Sequence, residues 1–331
     1  MDDVIKIART LSKSVGKEKI RDLSRVNSLR STWHITSEWI MIIGMVWICQ
    51  SFWHPALYLF AVIFIGARMQ GLIGIIHDGA HYLMYKNKFL SDVVVNIFAS
   101  WPLFFSMMKY RVHHMPHHKY VNSRRDPDFV LFSVNEDFDF PKSKKELIFM
   151  FMRDLSGISI IQSIYFYFQK KYFQFQYGKQ KKYYDDSQPL GYWISKYVYY
   201  TLVISAIVFF FGWKVFLLYW LIPFGTWFQF IFRLRTIAEH YAMPSDDLLI
   251  GTRNVFPNIV EKMLLVPENL NYHLAHHLFP SVPLHNLPKL HKVLMEDEMY
   301  KGSSHNLHSY ADVIKECLTT GFTDVNLAHN H

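Results

Sequence analysis

Three imidazoles, His273, His276 and His277, stand at i, i+3 and i+4 in the stretch Asn271-Tyr-His-Leu-Ala-His-His-Leu-Phe-Pro280. That spacing puts side chains on one face of a helix. Imidazole is the commonest protein ligand for a transition metal, so such a face can serve one ion or bridge two neighbouring ones. A second trio, His114, His117 and His118, lies in Arg111-Val-His-His-Met-Pro-His-His. An i/i+4 pair, His77 and His81, brackets His-Asp-Gly-Ala-His, and His240 ends Arg235-Thr-Ile-Ala-Glu-His. Nine imidazoles are too many for one tetrahedral zinc and suit two metals with about four ligands each. Spacing is silent on which metal.

The elements that carry these residues read as membrane helices. The chain has 331 residues, 51% of them hydrophobic and 17% aromatic, with a formal charge of +8. Its basic residues flank apolar runs and form no separate basic domain, which argues for anionic headgroups and membrane topology and against nucleic acid. The only cysteines are Cys49 and Cys317, with Cys49 inside an apolar run, so neither a disulfide framework nor thiolate ligation is expected. The first apolar run begins only near Ile35, and no signal peptide is predicted.

Residues 1–34 carry eight Lys or Arg, with Val4, Ile5, Ile7, Leu11 and Val15 at positions that suit an amphipathic helix. An interfacial helix is expected there, with a solvated tail as the alternative. Ile35–Trp53 and Ala56–Ile76 are each long enough to cross ~30 Å of hydrocarbon. Their short link lacks Lys and Arg, so the pair reads as a hairpin returning to the basic side. Arg68, inside the second span, should face the protein interior or a polar cavity. Residues 89–108 resemble a span but contain Asp92, Asn96 and Pro102, and a shallow or re-entrant helix pair fits better. Residues 141–188, with the aromatic run Ile158–Phe168, suit an interfacial segment. Tyr192–Phe211 and Val215–Phe232 form a second hairpin, and the tail from about Leu284 reads as soluble helices under the histidines. The expected fold is all-α and polytopic, with four transmembrane helices in two hairpins, interfacial helices and a cytosolic histidine-rich cap. Three regions are expected: a basic N-terminal segment (1–34), a catalytic membrane domain (35–295) and a soluble tail (296–331). Four spans return every histidine group to one side.

At this point the chain resembles the membrane fatty-acid desaturase and hydroxylase superfamily. Its members carry three histidine boxes, HxxxH, HxxHH and HxxHH, on the cytosolic side of a four-span core. His77-Asp-Gly-Ala-His81, His114-Met-Pro-His117-His118 and His273-Leu-Ala-His276-His277 match box for box, and His240 matches an additional ligand. The likeness extends to Arg125-Asp-Pro-Asp and to Leu278-Phe-Pro-Ser-Val-Pro, covering roughly residues 35 to 295. There are departures. Ala275 stands where relatives often have Glu. His113 permits an HxxxHH reading of the second box, although the spacing from Arg111 favours His114. His273 replaces the Gln common in front-end desaturases, and no His-Pro-Gly-Gly haem motif is present. Electrons are then expected from a separate donor of ferredoxin or cytochrome b5 type.

The resemblance implies two iron ions that use O2 and two external electrons to remove hydrogen from an unactivated C–H bond, work beyond acid–base side chains. Asp78, Asp126, Asp128, Glu239 and His113 are expected behind the ligands, orienting them. The implied activity is desaturation of a fatty-acyl or lipid substrate in an integral membrane. Hydroxylation, or carotenoid ketolation or hydroxylation, on the same scaffold is the alternative. A histidine-rich membrane receptor that holds metal without turnover is the rival outside enzymes. Trp101, Trp220, Trp227 and Phe228 either line an acyl tunnel or pack helices together.

Overall fold

The computed structural model describes residues 2–123, 125–128, 135–168, 188–243, 249 and 251–321. Residues 169–187 of the stretch expected to be interfacial, and 322–331 of the tail, lie outside these described residues.

The chain begins with α1 (Asp2–Val15) and α2 (Lys17–Leu23), then enters α3 (Ser28–Ser51) through Asn27, whose side chain accepts a hydrogen bond from the Arg30 amide. The sharp return to α4 (Pro55–Ala80) is built from local chemistry: His54 caps the new helix and Pro55 occupies its first turn, where a missing N–H costs nothing. α4 is the axis of the molecule, buried almost throughout from Ile65 to Ala80. Close packing around it depends on glycine. A Cβ on Gly79 would sit 2.9 Å from both methyl groups of Val95, and one on Gly74 would sit 2.9 Å from the Glu268 Cβ.

Arg68 lies inside α4 and is buried against Glu38 of α3, its Nη1 3.3 Å from the carboxylate, with a further hydrogen bond to the Met263 carbonyl. The charge faces the protein interior, as the cost of an unpaired charge in hydrocarbon requires.

After α4 the chain continues in shorter helices. α5 (Lys88–Val95) runs into a π-turn at Asn96–Ser100, and Ser106 then caps α6 (Met107–Tyr120). α7 (Lys144–Leu155) and α8 (Ile158–Phe168) are bent by 75° where they meet. The second hairpin is α9 (Leu190–Phe211) and α10 (Trp213–His240), the latter interrupted by a π-turn at Leu217–Leu221 and a break at Thr226. Three described helices, α4, α9 and α10, are long and apolar enough to cross a membrane. α3, at 24 residues, has the length, but Glu38, Gln50 and its tryptophans make it less apolar. The fold is thus a predominantly helical membrane architecture of two hairpins, as expected, with the histidine-rich cap built on their common end.

Beyond α10 come β1 (Arg253–Val255), α11 (Ile259–Leu264), α12 (His273–Leu278), α13 (Leu287–Leu294), α14 (Glu298–Ser303), β2 (His305–Leu307) and α15 (Tyr310–Thr319). Sequence periodicity does not reveal the two three-residue strands, which pair in parallel. One apolar core joins Leu11, Val15 and Ile20 to Leu274, Leu287, Val313 and Cys317. The apolar stripe of α1 is therefore covered by protein at these positions, where an interfacial or solvated segment was the expectation.

Trp101 and Trp220 line a cavity of about 120 Å³ with Phe104, Tyr199 and Ile207. Trp227 and Phe228 instead pack against Gly66 of α4.

Candidate metal centre

The nine histidines converge from four segments: the end of α4, α6, the end of α10 and α12. Helical geometry decides how each trio divides: residues at i and i+4 share a strip, and i+3 lies beside it. In α6, His114 and His118 point to one group of ring nitrogens and His117 to another. In α12, His273 and His277 join His117, while His276 joins His114. The two boxes thus interleave. The first group contains His77, His81, His114, His118 and His276, the second His117, His240, His273 and His277, and within each the nearest nitrogens lie within 4.8 Å of one another.

Spacing within the groups is regular. In the first, Nε2 of His114 lies 3.0 Å from that of His81 and 3.0 Å from that of His118, and His118 lies 2.9 Å from His276. In the second, His240 is 3.0 Å from His117 and 2.8 Å from His273, which is 3.0 Å from His277. Two nitrogens bound at right angles to one ion at about 2.1 Å would stand about 3.0 Å apart. The groups adjoin, with the His118 and His277 ring centroids 4.3 Å apart.

Burial tunes these rings. It lowers the pKa of His114, His118, His273, His276 and His277 well below the ordinary imidazole value, reinforced by neighbouring imidazoles. His81 is pushed down to about 3 by burial and by Arg111. Neutral imidazole is the metal-binding form. Among the described residues, neither ring nitrogen of His77 has a hydrogen-bond partner although both are buried. An orphaned buried polar ring is costly, and a bound cation would satisfy it. Chemistry, spacing and orphaned nitrogens all fit a pair of metal ions.

The expected supporting residues are unequal in geometry. Asp126 faces His117, 2.9 Å from its Nδ1. Burial opposes charge on His117, but Asp126, Asp128 and Glu239 outweigh it and raise the pKa to about 9. Asp128 is more distant, 3.8 Å from the same nitrogen. Glu239 lies 3.3 Å from His273 Nδ1 and accepts a hydrogen bond from Arg235. Ala275, between His273 and His276, is buried and carries no carboxylate. Asp78 points away, accepting from the Leu284 amide at 3.1 Å, with His77 3.8 Å distant. His113 is half-buried and belongs to neither nitrogen group.

Several residues that hold the centre escaped sequence reasoning, Arg111, Asn254 and Asn271 because they act across long chain separations and Tyr110 because an aromatic in an amphipathic helix has many possible partners. Arg111 donates to the carbonyls of Gly79 and Ala80 and to Asp92, tying α6 to the end of α4 between His77 and His81. Tyr110 stacks on His114 at 4.8 Å. Asn254 accepts from the Ala275 amide, and Asn271 donates to the Val255 carbonyl, so β1 fixes the start of α12. Pro116 sits within an unbroken α6, which therefore keeps its i/i+3/i+4 register.

Comparison with known proteins follows the same residues. A family model described as fatty acid desaturase matches residues 30–309. A dihydrorhizobitoxine desaturase of Bradyrhizobium elkanii is 29% identical over 260 residues, 76% of this chain and 71% of that protein. A chloroplastic omega-6 fatty acid desaturase of Spinacia oleracea is 24% identical over 258 residues, 70% of this chain and 52% of that protein. A shorter match, 32% identical over 85 residues, covers 23% of this chain and 24% of a ceramide hydroxylase of Caulobacter vibrioides. The chain spans about half the length of the Spinacia relative.

Proposed function

The chain belongs to the fatty acid desaturase family, and from that premise we propose that it is a membrane acyl desaturase in which the nine histidines hold two iron ions. The observation that carries this reading is the interleaving of two helices so that five and four imidazole nitrogens form two adjoining buried groups. A receptor with structural zinc needs only about four ligands.

The reaction removes two hydrogens from adjacent methylene groups. With O2, two electrons from a separate one-electron donor and two protons, it yields a double bond and two waters. Two bound irons supply the oxidising power for C–H cleavage, which acid–base groups lack. The chain's own residues supply position and environment. Asp126 holds the His117 ring, Glu239 faces His273 while Arg235 fixes Glu239, and Tyr110 limits rotation of His114. Burial favours the neutral form of the imidazoles other than His117 and restricts water around the reacting carbon. The positive-inside pattern supports a cytoplasmic location for the histidines.

A second reading has its own support: a relative matched over 71% of its length is named for dihydrorhizobitoxine rather than a fatty acid. The substrate is then a molecule other than a fatty acid, desaturated at the same centre.

The test is mass spectrometry of lipids from a desaturase-lacking host supplied with an electron donor and expressing this chain or its His276→Ala variant. Acyl chains lighter by two hydrogens with the unaltered protein alone support the proposal. Products heavier by one oxygen would assign hydroxylation instead. Unchanged lipids, with normal membrane insertion and iron content, would reject the acyl substrate and direct attention to the second reading.

A further inference from the structure

A basic bowl of about 580 Å³ opens beside the first hairpin, with none of the nine clustered histidines in its lining, and is lined by Asp22, Arg25, Asn27, Arg30, Lys86 and His285 among others. Three separated stretches build it: the turn from α2 into α3, the loop between α4 and α5, and the short turn before α13. Arg25 is neutralised locally by Asp22 at 2.9 Å. Among the described residues, Arg30 and Lys86 make no ion pair, and both are exposed. His285 is held down to about 4 by burial and by Arg30, His34 and Lys289, so its ring stays neutral in this positive field. The bowl has net positive charge and suits a phosphate.

Leu29 also lines the bowl, and the helices that flank Arg30 and Lys86 in sequence expose large apolar side chains. Leu29 is 85% exposed and Trp33 64% on α3, and Phe89 is 79% exposed on α5. Large apolar side chains this open are unfavourable in water, and several together mark an interaction surface. On α3 they continue as Ile40, Ile43 and Trp47, also exposed. At 100° per residue, positions 29, 33, 40, 43 and 47 fall on one helix face. That face belongs to a hairpin whose second helix is long and apolar enough to cross a membrane. Hydrocarbon is therefore what covers the stripe, and the bowl lies at its polar end.

The geometry points to a binding site for the phosphate headgroup of an anionic phospholipid, with Arg30 and Lys86 opposite the phosphate and the acyl chains along Leu29, Trp33 and Ile40. Free phosphate satisfies only the basic half of this site. The site does not depend on the chemistry proposed for the histidines.

The full chain in detergent is titrated with phosphatidylglycerol, phosphatidylcholine and inorganic phosphate, and bound ligand is counted by native mass spectrometry. A basic residue near an anionic surface contributes about 1 kcal/mol, or roughly five-fold in affinity. The double variant Arg30→Ala/Lys86→Ala is expected to bind phosphatidylglycerol about 25-fold more weakly, with phosphatidylcholine little changed. The control Lys301→Ala/Lys315→Ala, which removes two distant positive charges, should bind like the unaltered chain. Leu29→Ser/Phe89→Ser should weaken phosphatidylglycerol and leave inorganic phosphate unaffected. Circular dichroism and the thermal midpoint of the same samples report whether each variant keeps its fold. Equal phosphatidylglycerol affinity in the folded Arg30/Lys86 variant and its control would overturn the site. So would inorganic phosphate competing as well as the lipid, which would assign a free-anion site.

Discussion

His117 and Asp126 meet side chain to side chain, the imidazole Nδ1 lying 2.9 and 3.0 Å from the two carboxylate oxygens. The same carboxylate accepts the amides of Asn122 and Asp128, so it also shapes the turn that ends α6. One residue thus fixes both the ring and the backbone behind it. Asp126→Asn retains the shape and removes the charge. It is expected to weaken metal binding about 10- to 100-fold, read by chelator competition, with the circular dichroism spectrum unchanged.

The second histidine box offers two registers, and the geometry distinguishes them. His114 Nε2 lies 3.0 Å from both His81 and His118, whereas His113 belongs to neither group. His113→Ala is expected to purify with the same metal per chain as the parent. His114→Ala should lose metal from the five-nitrogen group, and elemental analysis of the two variants tests the assignment.

Arg111 holds the end of α4 where His77 and His81 emerge. Removing its guanidinium would leave Asp92 and the carbonyls of Gly79 and Ala80 without these donors. Breaking one side of a mostly buried charge pair typically costs about 3–5 kcal/mol. Partial exposure of Asp92 argues for the lower end. Arg111→Ala should lower the thermal midpoint in detergent and the metal content together. Arg111→Lys should recover only part of either, since a single ammonium cannot reproduce the forked contacts.

Gly79 of α4 packs directly against Val95 of α5. An added methyl would meet both Val95 methyl groups at 2.9 Å, and a β-branched side chain has little freedom to withdraw. Gly79→Ala is expected to destabilise by about 1–3 kcal/mol. Adding Val95→Ala opens the space and should restore much of the thermal midpoint. A lack of rescue would show that the clash is not the cause.

The histidine groups and both hairpins were legible because each leaves a short-range signature, 3.6-residue spacing in the first case and continuous hydropathy in the second. Helix spacing alone left open whether a trio serves one ion or two. That depends on how α6 and α12 face each other, which no local pattern encodes. Arg68 could be placed inside from the cost of its charge, but its partner Glu38, thirty residues away, could not. The parallel pairing of Arg253–Val255 with His305–Leu307 joins three-residue strands too short for a period to appear. The burial of Leu11 against the cap was hidden for another reason: an amphipathic stripe looks the same whether lipid or protein covers it.

His291 supplies the pH dependence most accessible to measurement, because it lies in the cap and outside both nitrogen groups. Its Nδ1 lies 3.1 Å from the Tyr300 hydroxyl, and burial lowers its pKa to about 4. The unfolded value is about 6.5. Between these values the unfolded chain binds more protons than the folded one at this position, so stability rises with pH across the window. The contribution is fully present above about 6.5 and is lost as pH falls towards 4. Thermal midpoints of the unaltered chain and of His291→Gln, measured from pH 4 to 8, should converge as acid is added, the variant having the flatter profile below pH 6.5. Parallel profiles would show that other groups carry the acid sensitivity.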